Sequence, residues 1–112
     1  MRQTPQHIYQ YRKRNHLNLK DVSYLLNIDE GNLSRFEKGK THNPKALLGY
    51  HILFDLSIGN PVIKIFYETE EIVHRCFELL EILGNKSKTK KNRLRIKGIT
   101  AIIKKLSKTQ DE

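Results

Sequence analysis

Apolar residues recur every three or four positions along most of the chain, the spacing of one buried helical face. Thr4-Pro5 reads as an N-cap followed by proline at the first helical position. It opens a helix to about residue 15 that buries Ile8 and Tyr11. Asn18 is the next N-cap, and Asp21 three residues on completes an approximate capping box. Val22, Leu25 and Leu26 then share a face, and Asn27 ends the helix in the left-handed conformation. Ile28 plugs the turn. Asp29 caps a second short helix, around residues 29–37, with Leu33 and Phe36 inward. Its outer positions are Glu30, Gly31, Asn32, Ser34 and Arg35, and Gly39 ends it. Asn43-Pro44 repeats the cap-and-proline signal for a fourth helix with Leu47, Tyr50 and Phe54 on one face. Gly49 weakens that helix by about 1 kcal/mol relative to alanine.

Asn60-Pro61 gives the signal a third time. Residues 61–83 predict one helix roughly 35 Å long, or two with a break around residues 68–69. Val62, Phe66, Thr69, Val73, Cys76, Leu80 and Leu83 follow the four-three spacing of a coiled-coil seam. Ile65, Ile72 and Leu79 form a second stripe. One stripe can cover the N-terminal core, which leaves Val73, Cys76, Leu80 and Leu83 as the expected homodimer seam. The alternative keeps both stripes inside the chain, closed by the last helix. Residues 85–92 read as a polar, basic linker. Beyond it, residues 93–97 alternate like a strand, whereas Ile99, Ile102, Ile103 and Leu106 recur like a helix, with Gly98 between. A terminal amphipathic helix is the expectation. The organisation expected is all-α: a domain over residues 1–60, a helical dimerisation segment over 61–84, and a basic linker and helix over 85–112.

Residues 17–44 thus predict two short helices, a tight turn and a polar loop, the arrangement that lays a helix in the DNA major groove. These residues resemble the lambda-repressor-like (Xre/Cro-type) helix-turn-helix family. The resemblance runs through the Arg12 region, residues 18–22, 26–28, 33–35 and 37–39, Pro44 and the apolar helix to about Leu56. It covers residues 4–58, about half of the chain. A bare helix-turn-helix pattern is weakly specific; the ordered set of caps, apolar positions and Glu-x-Gly is much more so. The resemblance implies a five-helix domain that binds double-stranded DNA, here with a C-terminal helical extension.

The family reads bases from the start and middle of the second helix of the motif, which here offers Glu30, Gly31, Asn32, Ser34 and Arg35. Arg35 can donate twice to guanine, Asn32 can pair with adenine, and Glu30 can accept from cytosine. An acid in the first turn also suits the helix dipole, whatever it touches. Asn18, Lys20, Lys38, Lys40, Thr41 and Lys45 flank that helix in sequence and are the expected phosphate contacts, which fix register without reading bases. The resemblance pairs Arg12 with Glu37 as a brace between the first and third helices, so loss of either partner should damage the fold first. Leu19 departs from the pattern: many relatives carry a glutamine there that touches the DNA backbone, and Lys20 is the available substitute.

Charge refines the picture. Net charge is +9, unevenly spread: residues 1–45 carry nine Lys/Arg against four acids, residues 46–84 two against six, and residues 85–112 ten against two. DNA would repel the acidic middle, so the basic surface belongs to the motif and the tail. The tail can add nonspecific affinity by counterion release, or dock on the acidic 68–81 face of a second copy. A protein partner on residues 61–112 is a further expectation.

No signal-peptide core or transmembrane run is visible, so no membrane role is expected. The lone Cys76 excludes an intrachain disulfide and fits a reducing cytoplasm. No paired ligand spacing links the five histidines to cysteine or to one another, so no metal and no other cofactor is expected. Nor is there a glycine-rich phosphate loop or a defensible nucleophile triad, and no catalytic residue is assigned. The function expected is a dimeric transcriptional repressor on a near-palindromic operator. Alternatives are the antitoxin of a toxin–antitoxin pair, or a protein-interaction module that keeps the motif as scaffold.

Overall fold

A computed structural model describes residues 5–54 and 69–110, with side chains over 8–54 and 69–107. Six helices fill the described residues: α1 Pro5–Arg14, α2 Leu19–Leu26, α3 Glu30–Glu37, α4 Pro44–Phe54, α5 Thr69–Gly84 and α6 Lys90–Gln110. The described chain is all-α. None of these helices is long and apolar enough to cross a membrane. The Thr4 cap, the Asn60-Pro61 signal and the stripe positions Val62, Ile65 and Phe66 lie outside the described residues.

Local hydrogen bonds explain where the helices begin and end. Asn18 Oδ1 accepts from the Asp21 amide (2.8 Å) and Asp21 returns the bond to the Asn18 amide (3.2 Å), a complete capping box. Asp29 and Asn43 accept from the amides three residues on, at 3.2 and 3.1 Å. Asn27 sits at φ 56°, ψ 48°, the left-handed conformation that frees α2 to turn. Gly39, at φ 77°, ends the α3 turn while the Lys40 amide donates to the Arg35 carbonyl at 2.9 Å.

One contiguous apolar core runs through both halves. Val22, Leu25 and Leu26 of α2, Leu33 and Phe36 of α3 and Tyr50 of α4 join Ile72, Cys76 and Leu83 of α5 and Ile99 and Ile102 of α6. α5 lies against α2 and α6 against α5. This removes Cys76 and Leu83 from the expected dimer seam. Cys76 and Leu83 are 0% and 2% exposed within a single chain, and Val73 and Leu80 pack half-buried against the same core. Four-three spacing marks a face that needs covering but says nothing about which chain covers it. Here α5 packs between α2 and α6 of the same chain, in keeping with the intramolecular alternative. Burial pushes the Cys76 thiol up to about 12, so it remains an uncharged packing group.

The C-terminal expectation is also revised in detail. The basic linker shrinks to residues 85–89, because Lys90, Lys91 and Asn92 already belong to α6. Thr89 caps that helix, its Oγ1 accepting from the Asn92 amide at 3.1 Å. Residues 93–97 are helical despite their alternation. Gly98 lies inside the helix for a steric reason: a Cβ there would stand 2.0 Å from the Asn15 carbonyl oxygen. α6 crosses the end of α1 at backbone contact.

Candidate nucleic-acid interface

The turn between α2 and α3 spans residues 27–29 and is pinned from both sides. Ser23 Oγ donates to the Ile28 carbonyl (2.6 Å), and Ile28, 8% exposed, wedges into the core. Lys45 Nζ reaches the Asn27 carbonyl at 3.3 Å. Leu33 and Phe36 anchor the inner side of α3, which leaves Glu30, Asn32 and Arg35 exposed. Gly31 and Ser34 are half-buried beside them.

The outward side chains are not independent. Arg35 Nη2 donates to Asn32 Oδ1, which links the two side chains. The guanidinium folds back over Gly31, where a Cβ would lie 3.6 and 3.7 Å from its nitrogens and 3.0 Å from Asp29 Oδ2. The Arg35 nitrogens are thus at ordinary contact distance, and the group that Gly31 leaves room for is the capping Asp29 carboxylate. The Asn32 amide nitrogen and the remaining guanidinium N–H groups stay available as outward donors. Ser34 turns aside. Together with Lys38 it lines an open groove of about 520 Å³ whose far wall is Tyr9, Lys13 and Leu19.

The expected phosphate contacts divide into two kinds. Lys20, Lys38, Lys40 and Thr41 are exposed around the motif. Asn18 and Lys45 are partly committed to the fold: the Asn18 oxygen is the α2 cap, leaving its amide N–H groups, and Lys45 also spans the turn.

Arg12 and Glu37 meet as the resemblance implied. Arg12 Nε and Nη2 donate to the two Glu37 oxygens at 2.8 Å each, and Arg12 Nη1 donates to the Leu17 carbonyl at 3.2 Å. A third member was absent from the sequence reading. The buried Tyr50 hydroxyl donates to Glu37 Oε2, and the Tyr50 ring packs edge-on between Phe36 and Phe54 at 5.4 Å from each. Burial, then the Glu37 charge, raises the Tyr50 hydroxyl well above its ordinary range, so it stays a donor. The Glu37 bond raises the Arg12 pKa against the opposing effect of burial. Tyr50→Phe should cost about 1 kcal/mol, since Arg12 still satisfies the carboxylate. Urea denaturation would measure it; a loss as large as that of Arg12→Ala would count against Arg12 as the main partner.

Sequence reasoning also missed the groups that tie α5 and α6 to α2. Asp21, 1% exposed, accepts from Arg95 Nη2 (2.7 Å) and Nε (2.9 Å). Tyr24 Oη donates to Glu78 at 2.8 Å, which raises the tyrosine pKa, and Arg75 donates to the Tyr24 carbonyl at 3.3 Å. The available signals were a charged residue in an otherwise apolar heptad face (Arg95) and a tyrosine where phenylalanine would pack (Tyr50). No protein-family model, curated protein or solved structure matches this chain significantly.

Proposed function

We propose that this chain is a sequence-specific DNA-binding transcriptional regulator of the lambda-repressor-like type, acting as a dimeric repressor in the cytoplasm. One observation carries the reading. α3 is capped, wedged by Ile28 and braced by Arg12–Glu37, so that its solvent face offers Glu30, Asn32 and Arg35 on a rigid support. Exposed lysines flank it at Lys20, Lys38 and Lys40. In this reading α3 enters the major groove. Arg35, steadied by Asn32, reads guanine, Glu30 faces a neighbouring base, and the lysines hold phosphates.

A dimer would set two such helices about 34 Å apart, one DNA turn, on a near-palindromic operator overlapping its promoter. Among the described residues, the exposed large apolar side chains open to a second copy or another protein are Phe77 and Ile82 of α5, 56% and 43% exposed.

Selection of bound duplexes from a randomised pool near physiological salt tests the reading. Recovery of a two-fold-related motif supports it; enrichment of no motif, with binding lost as salt rises, argues for a nonspecific binder or an interaction module. Arg35→Ala should cost about 1–3 kcal/mol of binding and relax one base-pair position in each half-site. Equal loss on every sequence would remove Arg35 from the base-reading set.

A further inference from the structure

We propose that the exposed cations opening α6 form a second contact with DNA, gripping the phosphate backbone beside the base pairs that α3 reads. The proposal rests on the DNA-binding reading and extends its surface to residues 86–93. Lys86, Lys88, Lys90, Lys91 and Arg93 are all exposed, and among the described residues none of them forms an ion pair. No acidic residue stands between Glu81 and Asp111 in the sequence.

Within the fold this arrangement is unfavourable. Lys90 and Lys91 occupy the first turn of a helix that has no acid there, so they sit at the positive end of its dipole as well as beside each other. A local electrostatic rule broken without an intramolecular offset marks a surface kept for a ligand. The cations spread over a loop and the first turn of α6; only Lys88 and Arg93 share a cavity, about 210 Å³ and lined also by Leu83 and Ile96. Such a spread suits an extended polyanion better than a small anion.

Tertiary contacts put this surface beside the motif. Arg95 clasps Asp21 in the first turn of α2, and Asn92 Oδ1 accepts from Arg95 Nη1 at 2.9 Å. Lys91 lies one turn before Arg95 on the same side of α6, about 6 Å along the axis. Lys20 is adjacent to Asp21 on α2 and exposed. The backbone contact at Gly98 seats α6 against residue 15, just before the Asn18 cap. Thus the α2 N-terminus, where Asn18 and Lys20 wait for phosphate, continues into the start of α6. An acidic face on a second copy is the competing occupant. Two of the α5 acids there are already engaged, however, Glu71 with Arg75 and Glu78 with Tyr24 and His74.

The test compares full-length wild type with the triple variant Lys88→Gln, Lys90→Gln, Lys91→Gln on the selected duplex with native-length flanks. Binding is titrated over a range of sodium chloride concentrations. The slope of log affinity against log salt should fall by about two to three, at about 0.9 per lost phosphate contact. The preferred motif should not change, and trimming the flanks should erase the difference. Lys104→Gln, exposed near the far end of α6, should leave the slope alone. An unchanged slope in a triple variant that melts like wild type would overturn the proposal. So would a variant whose only change is loss of self-association in sedimentation, which would assign the lysines to a second copy. Wild type that binds no duplex would sink the DNA reading itself, and this proposal with it.

Discussion

Arg95→Ala is expected to destabilise the fold by about 3–5 kcal/mol, the cost of leaving a buried carboxylate without its charged partner. Asp21 is 1% exposed and would keep only the Asn18 amide, at 3.2 Å. Asp21→Asn should cost less. It retains an acceptor for the Asn18 amide, and the Arg95 side chain, 14% exposed at the rim, can relax into water. The asymmetry is the informative part, and urea unfolding of both variants measures it. Loss below about 1 kcal/mol for Arg95→Ala would mean that α6 is not held to α2 by this pair, since that is the range of solvent-exposed bridges.

Gly98→Ala is expected to lower stability by about 3 kcal/mol, even though alanine gains about 1 kcal/mol of helix propensity. The new Cβ would lie 2.0 Å from the Asn15 carbonyl oxygen, a backbone atom that no rotamer change can move. α6 would have to back away by roughly an ångström and lift Ile99 and Ile102 from the core with it. Such overpacking belongs at the upper end of the usual penalties. The melting temperature should fall by about 10–15 °C. An equal or higher value would show that propensity dominates and that α6 packs less closely.

These two changes also separate what was legible from what was not. The N-caps at Asn18, Asp29 and Asn43 and the left-handed Asn27 depend on groups within three or four residues, so inspection of the sequence located them. The outward set on α3 was legible for the same reason: Leu33 and Phe36 define the inner face, and the period of a helix does the rest. The hydrogen bond between Asn32 and Arg35, three residues apart, follows the same geometry and could have been anticipated. The tight approach of the Asp29 carboxylate to Gly31 could not, because it depends on the rotamer that this cap adopts.

The C-terminal half was harder to read. Its apolar stripes were visible, but a stripe only states that a face must leave water. Whether a second chain or α6 covers it depends on how the chain closes in space. The Asp21–Arg95 pair is 74 residues apart in sequence, and Asp21 had already been explained as a cap. Gly98 looked like a break between two patterns, since a glycine required by an approaching backbone and one that ends a helix look the same in a linear sequence.

The sequence by itself determined the helical period of the chain, the caps at Asn18, Asp29 and Asn43, the ends at Asn27 and Gly39, the polar face of α3, the Arg12–Glu37 brace through its resemblance, and the basic character of the tail. All but the brace are set by local hydrogen bonds, helical period or composition. Only the tertiary structure decided that α5 and α6 complete the same core, that Asp21 is a buried ion-pair partner as well as a cap, and that the basic start of α6 lies beside α2. Those facts follow from which distant surfaces meet, and burial creates them only when the chain has closed.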